Sequence, residues 1–314
     1  MTKPIVAAEE CTALGAGTST LESYPSREVN LGALHVMRAL PIREKRMVGP
    51  WCFLDRAGPL TFTADAAMNV GSHPHMGLQT VTWLFDGEIM HYDSLGSEML
   101  ARPGGVNVMT AGNAIAHAEQ TPRINSGQLN ATQLWVAMPD AARNGPSSFT
   151  AVEHVPVVER PDGLVKVFAG TVAGATSSAP HFSALVGSEV VIHPERELEI
   201  DLDTTYEHAV LLVDGDCEIS GQRIEPRFLY YLGTQRRSVG FRSRTGGRVL
   251  FIGGPPFPET ILMWWNFVAR TPEEIAEARA DWMAGRRFAA VPGYKGSRMD
   301  APELARLARP NPMS

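Results

Sequence analysis

The sequence predicts an all-β protein made of two similar antiparallel β-barrels, followed by one helix. Short runs of alternating apolar and polar residues, separated by turn residues, recur along most of the chain. The 29 glycines and 23 prolines suit many short strands joined by turns. Both halves also contain an apolar run, an Asp-Gly pair and a second run, at 83–93 and at 211–221. This repeat indicates two copies of one barrel.

The strands of the first half are predicted from alternation and from turn signals. The runs 80–85 and 88–92 flank Asp86-Gly87, a strong short signal for a β-hairpin. A last strand at 129–139 is expected to close the barrel. The other strands predicted here are 29–40, 51–60 and 106–112.

Turn-forming residues at 139–148 mark the predicted boundary between the barrels. We expect an N-terminal barrel domain at 23–142, and a C-terminal barrel domain with its helix and tail at 143–314. Residues 1–22 are small and polar without periodicity, and are predicted to form a mobile arm.

One helix is predicted near the end of the chain. Thr271 is predicted as its N-cap, Pro272 as its first residue and Glu274 as its third residue, and together they make a capping box. Apolar residues at helical spacing and a glycine stop complete the pattern: Ile275, Ala278, Trp282 and Gly285.

Composition excludes several classes of function. With 44% hydrophobic and 20% charged residues, the chain is typical of a globular protein, and its net charge of −6 does not favour nucleic acid or an anionic membrane surface. The three cysteines are widely spaced and form neither a disulfide framework nor a CxxC metal motif. No apolar segment near the start suggests a signal peptide, so we expect a cytoplasmic location.

Two short motifs predict a metal site in the first barrel. His73 and His75 are two residues apart, as are His117 and Glu119, so the two side chains of each pair point to the same face of a strand. A lone HxH motif arises easily by chance, but the β segment between the two motifs would bring its ends together. Three imidazoles and one carboxylate suit a divalent transition metal, with iron favoured among the redox metals.

Longer segments around these motifs resemble the pirin family of the cupin superfamily. The resemblance is strongest in HPHMGLQTVTWLFDGEIMHYDSLG, RPGGVNVMTAGNAIAHAE and QLWVAMP, and weaker similarity extends it over about 27–290. It implies a bicupin, with two antiparallel jelly-roll barrels and a metal in the N-terminal one only. The ligands it implies are His73, His75, His117 and Glu119, and the metal is usually iron.

Two residues depart from the family pattern. Met76 stands where an arginine is common after the second histidine, and Gln79 stands where a glutamate is common. The predicted ligand set is unaffected, but the surroundings of the metal become less charged, which predicts that this metal site is tuned differently from the family pattern.

The open positions left by four protein ligands predict catalysis or sensing. The resemblance implies a quercetinase-like dioxygenase that uses Fe(II), a small aromatic or enolic substrate and dioxygen, although the same ligands accept Mn, Ni, Cu or Zn. Glu119 is predicted either to stay bound or to act as a general base. The alternatives are a non-catalytic iron-binding redox regulator that acts through a protein partner, and a metal-free structural bicupin.

Some other residues allow two interpretations. His91 is predicted to be a hydrogen-bonded structural histidine rather than a partner of the metal ligands. Four large residues are expected in the core more than in a substrate cavity: Trp83, Phe85, Met90 and Met109. Trp264-Trp265 fits either a stacking role or an apolar cover over a barrel end.

Overall fold

The computed structural model describes residues 9–11, 21–31, 34–62 and 68–304, and the chain there is mostly β-structure. The predicted all-β class, with two antiparallel barrels and a C-terminal helix, is confirmed. The predicted mobile arm lies largely outside the described residues.

Thirteen strands belong to the described part of the first half of the chain. They are β1 (Glu9–Cys11), β2 (Glu22–Pro25), β3 (Arg27–Leu31), β4 (Leu34–Leu40), β5 (Trp51–Thr61), β6 (Asn69–His75), β7 (Leu78–Gly87), β8 (Ile89–Asp93), β9 (Glu98–Ala101), β10 (Val106–Thr110), β11 (Ile115–Gln120), β12 (Gln128–Ala137) and β13 (Ser148–Val152).

Fourteen strands and one helix follow in the described part of the second half. They are β14 (Val157–Arg160), β15 (Gly163–Ala169), β16 (Thr171–Val172), β17 (Ala175–Thr176), β18 (Val186–Ile192), β19 (Arg196–Asp201), β20 (Glu207–Gly215), β21 (Cys217–Ile219), β22 (Gln222–Ile224), β23 (Phe228–Gly233), β24 (Ser238–Ser243), β25 (Gly247–Gly254), β26 (Ile261–Trp264), β27 (Phe267–Ala269) and α1 (Pro272–Met283).

The two barrels repeat one sheet arrangement. The first combines a seven-stranded sheet, β13-β10-β7-β12-β5-β4-β3, with a four-stranded sheet, β6-β11-β8-β9. The second combines β14-β15-β18-β25-β20-β23-β2 with β19-β24-β21-β22. The Asp-Gly strands β7 and β20 occupy equivalent central positions. The repeat predicted from the two Asp-Gly segments is therefore present in the fold.

The predicted hairpin around Asp86-Gly87 is wrong. β7 pairs with β10 and β12, whereas β8 pairs with β11 and β9 in the other sheet. The turn thus carries the chain from one sheet of the barrel to the other. The strand predicted to close the barrel, β12, lies instead between β7 and β5.

The barrels exchange edge strands. β2 pairs with β23 of the second barrel, and β13 pairs with β10 of the first. Each of these strands therefore pairs with a strand on the other side of the predicted boundary between the domains. The exact limits of the domains remain a prediction. The exchange ties each barrel to a strand from the far side of the linker.

The seven-stranded sheets of the two barrels pack against each other through a shared apolar cluster that includes Trp51, Trp83 and Phe168. The indole nitrogen of Trp51 donates to the carbonyls of Val186 and Gly253, at 3.1 and 3.0 Å. The indole nitrogen of Trp83 donates to the Glu189 carboxylate at 3.1 Å. Trp83 is thus a core residue of the interface, as predicted.

The predicted helix is confirmed as α1. The Thr271 side chain accepts a hydrogen bond from the Glu274 backbone, and Pro272 begins the helix. Its buried residues are the predicted Ile275, Ala278 and Trp282. Among the described residues, no helix combines the length and apolar character needed to cross a membrane.

The helix lies beside the small sheet β1-β26-β27. Trp264 joins the apolar cluster that contains Met76 and Trp282, so the Trp264 side chain acts as an apolar cover next to the first barrel.

Candidate metal centre

Three neighbouring strands, β6, β11 and β8, carry the candidate site on one face of the four-stranded sheet. His117 lies directly opposite His73 on β6 and opposite Asp93 on β8. Glu119 lies opposite His91. Residues opposite each other share a face, so these side chains all point toward the barrel interior.

The predicted histidines converge. One ring nitrogen from each of His73, His75 and His117 lies within 4.8 Å of the other two. The Nε2 atoms of His75 and His117 are 3.0 Å apart. All three side chains are buried.

Hydrogen bonds on the opposite ring atoms orient two of these histidines. The Nδ1–H of His73 can donate to the Gly71 carbonyl at 2.7 Å, and that of His75 to the Asn266 carbonyl at 3.1 Å. A proton on Nδ1 leaves the Nε2 lone pair of each neutral ring available to a metal.

His117 is oriented by a short relay. The Nε2–H of His91 can donate to the Asp93 carboxylate at 3.1 Å, which leaves the His91 Nδ1 as an acceptor. That atom lies 3.4 Å from the Nδ1 of His117. Asp93 also accepts bonds from the backbone of Leu95 and Ser97. The relay therefore favours a His117 tautomer whose Nε2 lone pair faces His75.

Burial sets the charge of the site. It lowers the pKa of His73 to about 4. It also lowers the pKa values of His75 and His117 well below the ordinary histidine value. Burial raises the pKa of Glu119, while His91 and a hydrogen bond with Thr82 act in the opposite direction. The imidazoles are thus neutral at pH 7, the form that binds metals.

These residues fit a transition metal. Two neutral Nε2 atoms that direct their lone pairs at each other repel unless a proton or a cation lies between them. Two nitrogens bound to one ion at about 2.1 Å in adjacent positions lie about 3.0 Å apart, close to the observed His75–His117 separation. The donors are imidazoles and a carboxylate, which suit iron and its neighbours among the divalent metals.

Glu119 lies beyond His117 along β11, opposite His91 on β8. Its carboxylate groups with His91 and His117, again within 4.8 Å, rather than with His73 and His75. A β-bulge between His117 and Glu119, in the pairing of β11 with β6, accompanies this arrangement. The assignment of all four residues to one ion stays a prediction.

His91 lies closer to the predicted metal ligands than the sequence indicated. Its hydrogen bond to Asp93 fits the structural role predicted for it, but its other nitrogen contacts a predicted metal ligand. The available signal was His91-x-Asp93, a second pair with alternating spacing on a strand between the two metal motifs.

Met76, which departs from the family pattern, lies next to a positively charged side chain. The Arg287 guanidinium lies 3.5 Å from the Met76 sulfur and donates to the carbonyl and side-chain oxygens of Asn113. A cavity of about 420 Å³ adjoins Met76, Gly77 and Arg287. A positive charge therefore lies beside position 76, supplied from the segment after the helix.

The unusual Gln79 faces the second barrel. Its amide nitrogen donates to the Thr110 hydroxyl at 2.9 Å and to the Pro180 carbonyl at 3.1 Å. Its oxygen lies 3.2 Å from the Nδ1 of His181. Glu207, at the equivalent position before the second Asp-Gly pair, likewise accepts from Gly49 across the interface. The side chain at position 79 therefore forms hydrogen bonds across the interface between the barrels.

Replacement of Gln79 by alanine is expected to destabilise the fold. The substitution leaves the Pro180 carbonyl and the His181 ring nitrogen without their partner and opens a small cavity, at a cost of about 2–4 kcal/mol. Urea denaturation measures this loss. The exposed Gln222→Ala is the matched control and should change stability by less than about 0.5 kcal/mol. Equal stability of the two variants would contradict the interface role.

The second barrel is apolar at the equivalent positions. The cross-strand pairs that match His73–His117 and His91–Glu119 are Ile200–Val239 and Ile219–Phe241. All four of these residues belong to the apolar core of that barrel. Within the described residues, the candidate metal ligands therefore lie in the first barrel alone.

Two antiparallel barrels with matching sheet orders, and histidines converging inside the first, define a bicupin with one candidate metal centre. Family models agree with this class: "Pirin" matches residues 33–136, and "Pirin C-terminal cupin domain" matches residues 188–289. The chain belongs to the pirin family.

Three relatives support the assignment. A Pseudomonas aeruginosa protein named "Putative quercetin 2,3-dioxygenase PA1205" is 38% identical over 87% of both chains. A pirin-like protein of Caulobacter vibrioides is 35% identical over 84% of this chain and 93% of its own. The crystal structure of a quercetin 2,3-dioxygenase from Acinetobacter baumannii, 40% identical, superimposes with a TM-score of 0.89 over 92% of this chain and 97% of that one.

Proposed function

We propose that this protein is an iron-dependent dioxygenase that acts on a flavonoid-like or other small enolic substrate. The observation that carries the proposal is the convergence of three neutral, buried imidazoles whose opposite nitrogens are held by other groups. The names of the relatives from Pseudomonas and Acinetobacter point to quercetin as the first substrate to test.

In this proposal His73, His75 and His117 hold the metal, and Glu119 completes the set. When bound, iron(II) supplies the Lewis-acid and redox chemistry by which dioxygen reacts with an enolic substrate. Glu119 has two alternative roles: it stays bound to the metal, or it leaves the metal and takes the proton from a substrate hydroxyl. The second role suits its buried carboxyl group, because burial raises the pKa of Glu119 and so strengthens it as a base when it is free of the metal.

The walls of the site are apolar and aromatic. The Trp135 ring lies edge-on to His75 at 5.1 Å, and the Phe149 ring stacks on His91 at 4.3 Å. Phe53 in turn stacks on Trp135 at 3.9 Å. Such walls limit water and strengthen the electrostatic effect of Glu119 on a bound hydroxyl. They also favour a flat aromatic substrate over a strongly polar one.

Oxygen uptake tests the proposal. Protein loaded anaerobically with iron(II) is mixed with quercetin and air-saturated buffer, while an oxygen electrode and quercetin absorbance are followed together. We expect oxygen consumption to match quercetin loss. The zinc-loaded protein is the matched control, because zinc occupies similar ligands and has no redox chemistry.

A silent electrode with fully iron-loaded protein, for quercetin and for simpler enols, would overturn the proposal. That result would favour the regulatory alternative, in which the oxidation state of iron is read by a protein partner. Freshly purified protein that contains no transition metal and takes up none would favour a structural bicupin.

A further inference from the structure

The C-terminal tail, residues 291–304, runs along the edge of the four-stranded sheet that carries the candidate metal ligands. Arg298 forms a parallel β-bridge with Ser72 on the edge strand β6. The Ser72 N–H donates to the Ser297 carbonyl at 2.9 Å, and the Met299 N–H donates to the Ser72 carbonyl at 2.8 Å. Both backbone groups of this residue of β6 are thus bonded to the tail.

The tail meets β6 at a β-bulge. In the ladder with β11, Val70 pairs with Glu119 and His73 pairs with His117. The two residues of β6 between these pairs, 71–72, therefore lie opposite a single residue of β11. A bulge changes the local twist of a strand and so re-aims the side chains beside it. The direction of the His73 side chain thus depends on the conformation of this bulge.

Gly71, in the bulge, connects the tail to the His73 ring. The Gly71 carbonyl lies 2.7 Å from the His73 Nδ1 and accepts the hydrogen bond that orients this ring. Gly71 also lies so close to the tail that a Cβ atom at this position would be 2.6 Å from the Ser297 carbonyl oxygen, nearer than real Cβ atoms come to a neighbour. A displaced tail would therefore free Gly71 to move, and the acceptor of the His73 hydrogen bond would move with it.

The tail is itself fixed to α1 and to the start of β6. The Trp282 indole N–H donates to the Met299 carbonyl at 2.8 Å, and the Arg298 guanidinium lies 3.5 Å from the centroid of the Trp282 ring. The Tyr294 hydroxyl donates to the side-chain oxygen of Asn69, the first residue of β6, at 2.6 Å. These contacts give the tail one defined position against the sheet.

We propose that the C-terminal tail is a positioning element of the metal centre, which holds the bulge of β6 so that the His73 Nε2 atom points at the ion. This role depends on the metal centre of the proposed function and not on the dioxygenase reaction. Within the described residues, the tail supplies no metal ligand of its own. It raises metal affinity because a ring that is already aimed at the ion binds without reorientation.

Removal of one backbone hydrogen bond tests the proposal. Met299→Pro deletes the N–H that binds the Ser72 carbonyl, and Met299→Ala is the matched control that keeps it. Titration of the metal-free, full-length protein with cobalt(II) measures affinity, and the visible absorption of bound cobalt reports the geometry of its ligands. We expect Met299→Pro to weaken cobalt binding about three- to tenfold, less than the loss of a direct outer partner of a ligand. The absorption spectrum at saturation should also change, whereas Met299→Ala should match the unsubstituted chain.

A double-mutant cycle tests whether the tail acts through His73. In His73→Ala the ring that the tail orients is absent, so Met299→Pro should cause no further loss of cobalt affinity. An equal loss in both backgrounds would reveal a general effect on the fold and would overturn the proposal. Unchanged affinity and an unchanged spectrum in Met299→Pro would overturn it as well.

A second variant and a metal-free measurement apply if Met299→Pro does not fold. Gly71→Ala places a methyl group against the Ser297 carbonyl and should have the same two effects on cobalt binding. Nitrogen NMR of the histidine rings reads His73 directly in the metal-free protein. We expect the Nδ1–H tautomer in the unsubstituted chain and a mixture of tautomers in Gly71→Ala. An unchanged tautomer together with unchanged cobalt affinity would overturn the proposal.

The same measurements separate this proposal from the proposed function. Cobalt binding does not require the dioxygenase reaction, so failure to oxidise quercetin would leave the expected cobalt results unaltered. Oxygen uptake with quercetin, combined with equal cobalt binding in all the tail variants, would overturn the role of the tail alone. An unsubstituted chain that binds no cobalt would contradict the metal centre, and with it both proposals.

Discussion

Protein carrying His117→Ala is expected to lose stable metal binding. His117 belongs to both groups of potential ligands, with His73 and His75 on one side and with His91 and Glu119 on the other. Loss of this ring therefore disrupts either ligand set. Even loss of an outer hydrogen-bond partner weakens metal affinity by about 10- to 100-fold, so removal of a ligand should exceed about 100-fold.

Metal content after dialysis and competition with a chelator measure this effect, with the exposed His154→Ala as control. Two further variants identify which group binds the ion. If His73, His75 and His117 bind it, His73→Ala should cost far more affinity than His91→Ala. A larger loss in His91→Ala would place the ion beside Glu119 instead. Unchanged affinity in His117→Ala would contradict the whole site.

The convergence of the histidines could be predicted because it depends on short-range geometry. Alternation along β6 and β11 places His73, His75 and His117 on one face, and the structure pairs His117 directly with His73. The helix was predictable for a similar reason, since Thr271 and Pro272 act on backbone groups within one turn of themselves.

Long-range pairing was not predictable from local signals. Asp86-Gly87 specifies a tight turn but not which strand pairs with β8, and in this barrel the partner is β11. The exchange of β2 and β13 between the barrels has the same cause, because the ladder partners of an edge strand are decided by tertiary packing.

The outer surroundings of the site also depend on distant segments. His91 meets His117 only through the register of β8 with β11. Arg287 reaches Met76 from beyond the helix, and Gln79 meets His181 across the interface. The resemblance to the family predicts that positions 76 and 79 are unusual, but only the fold shows that Met76 has a cation beside it and that Gln79 forms hydrogen bonds across the interface between the barrels.

Acid is expected to destabilise the metal-free protein steeply between about pH 6.5 and pH 4. Burial holds the pKa of His73, His181 and His208 at about 4, below the ordinary value of 6.5. Between these values the unfolded chain binds protons that the folded chain does not. Stability therefore rises with pH through this window and is lost as the pH falls.

The expected loss of stability at acid pH is large compared with the total stability of an ordinary protein. Between pH 7 and pH 5, the free energy of unfolding should fall by about 2 kcal/mol for each of these three histidines. Typical stabilities are only about 5–15 kcal/mol. His75 and His117 add to the loss, because burial also lowers their pKa values. The buried carboxyl groups of Asp55 and Glu119 oppose it, since burial raises their pKa values.

Urea denaturation of the metal-free protein at several pH values measures this dependence. His208→Gln removes one buried titrating ring and should lower the loss between pH 7 and pH 5 by about 2 kcal/mol, while the exposed His154→Gln should not. Equal stability at pH 7 and pH 5 would contradict the buried neutral state of these rings. Because the folded His73 stays neutral down to about pH 4, a bound metal keeps its ligand throughout this window. Metal-loaded protein should therefore be more stable than the metal-free form at every pH of the series.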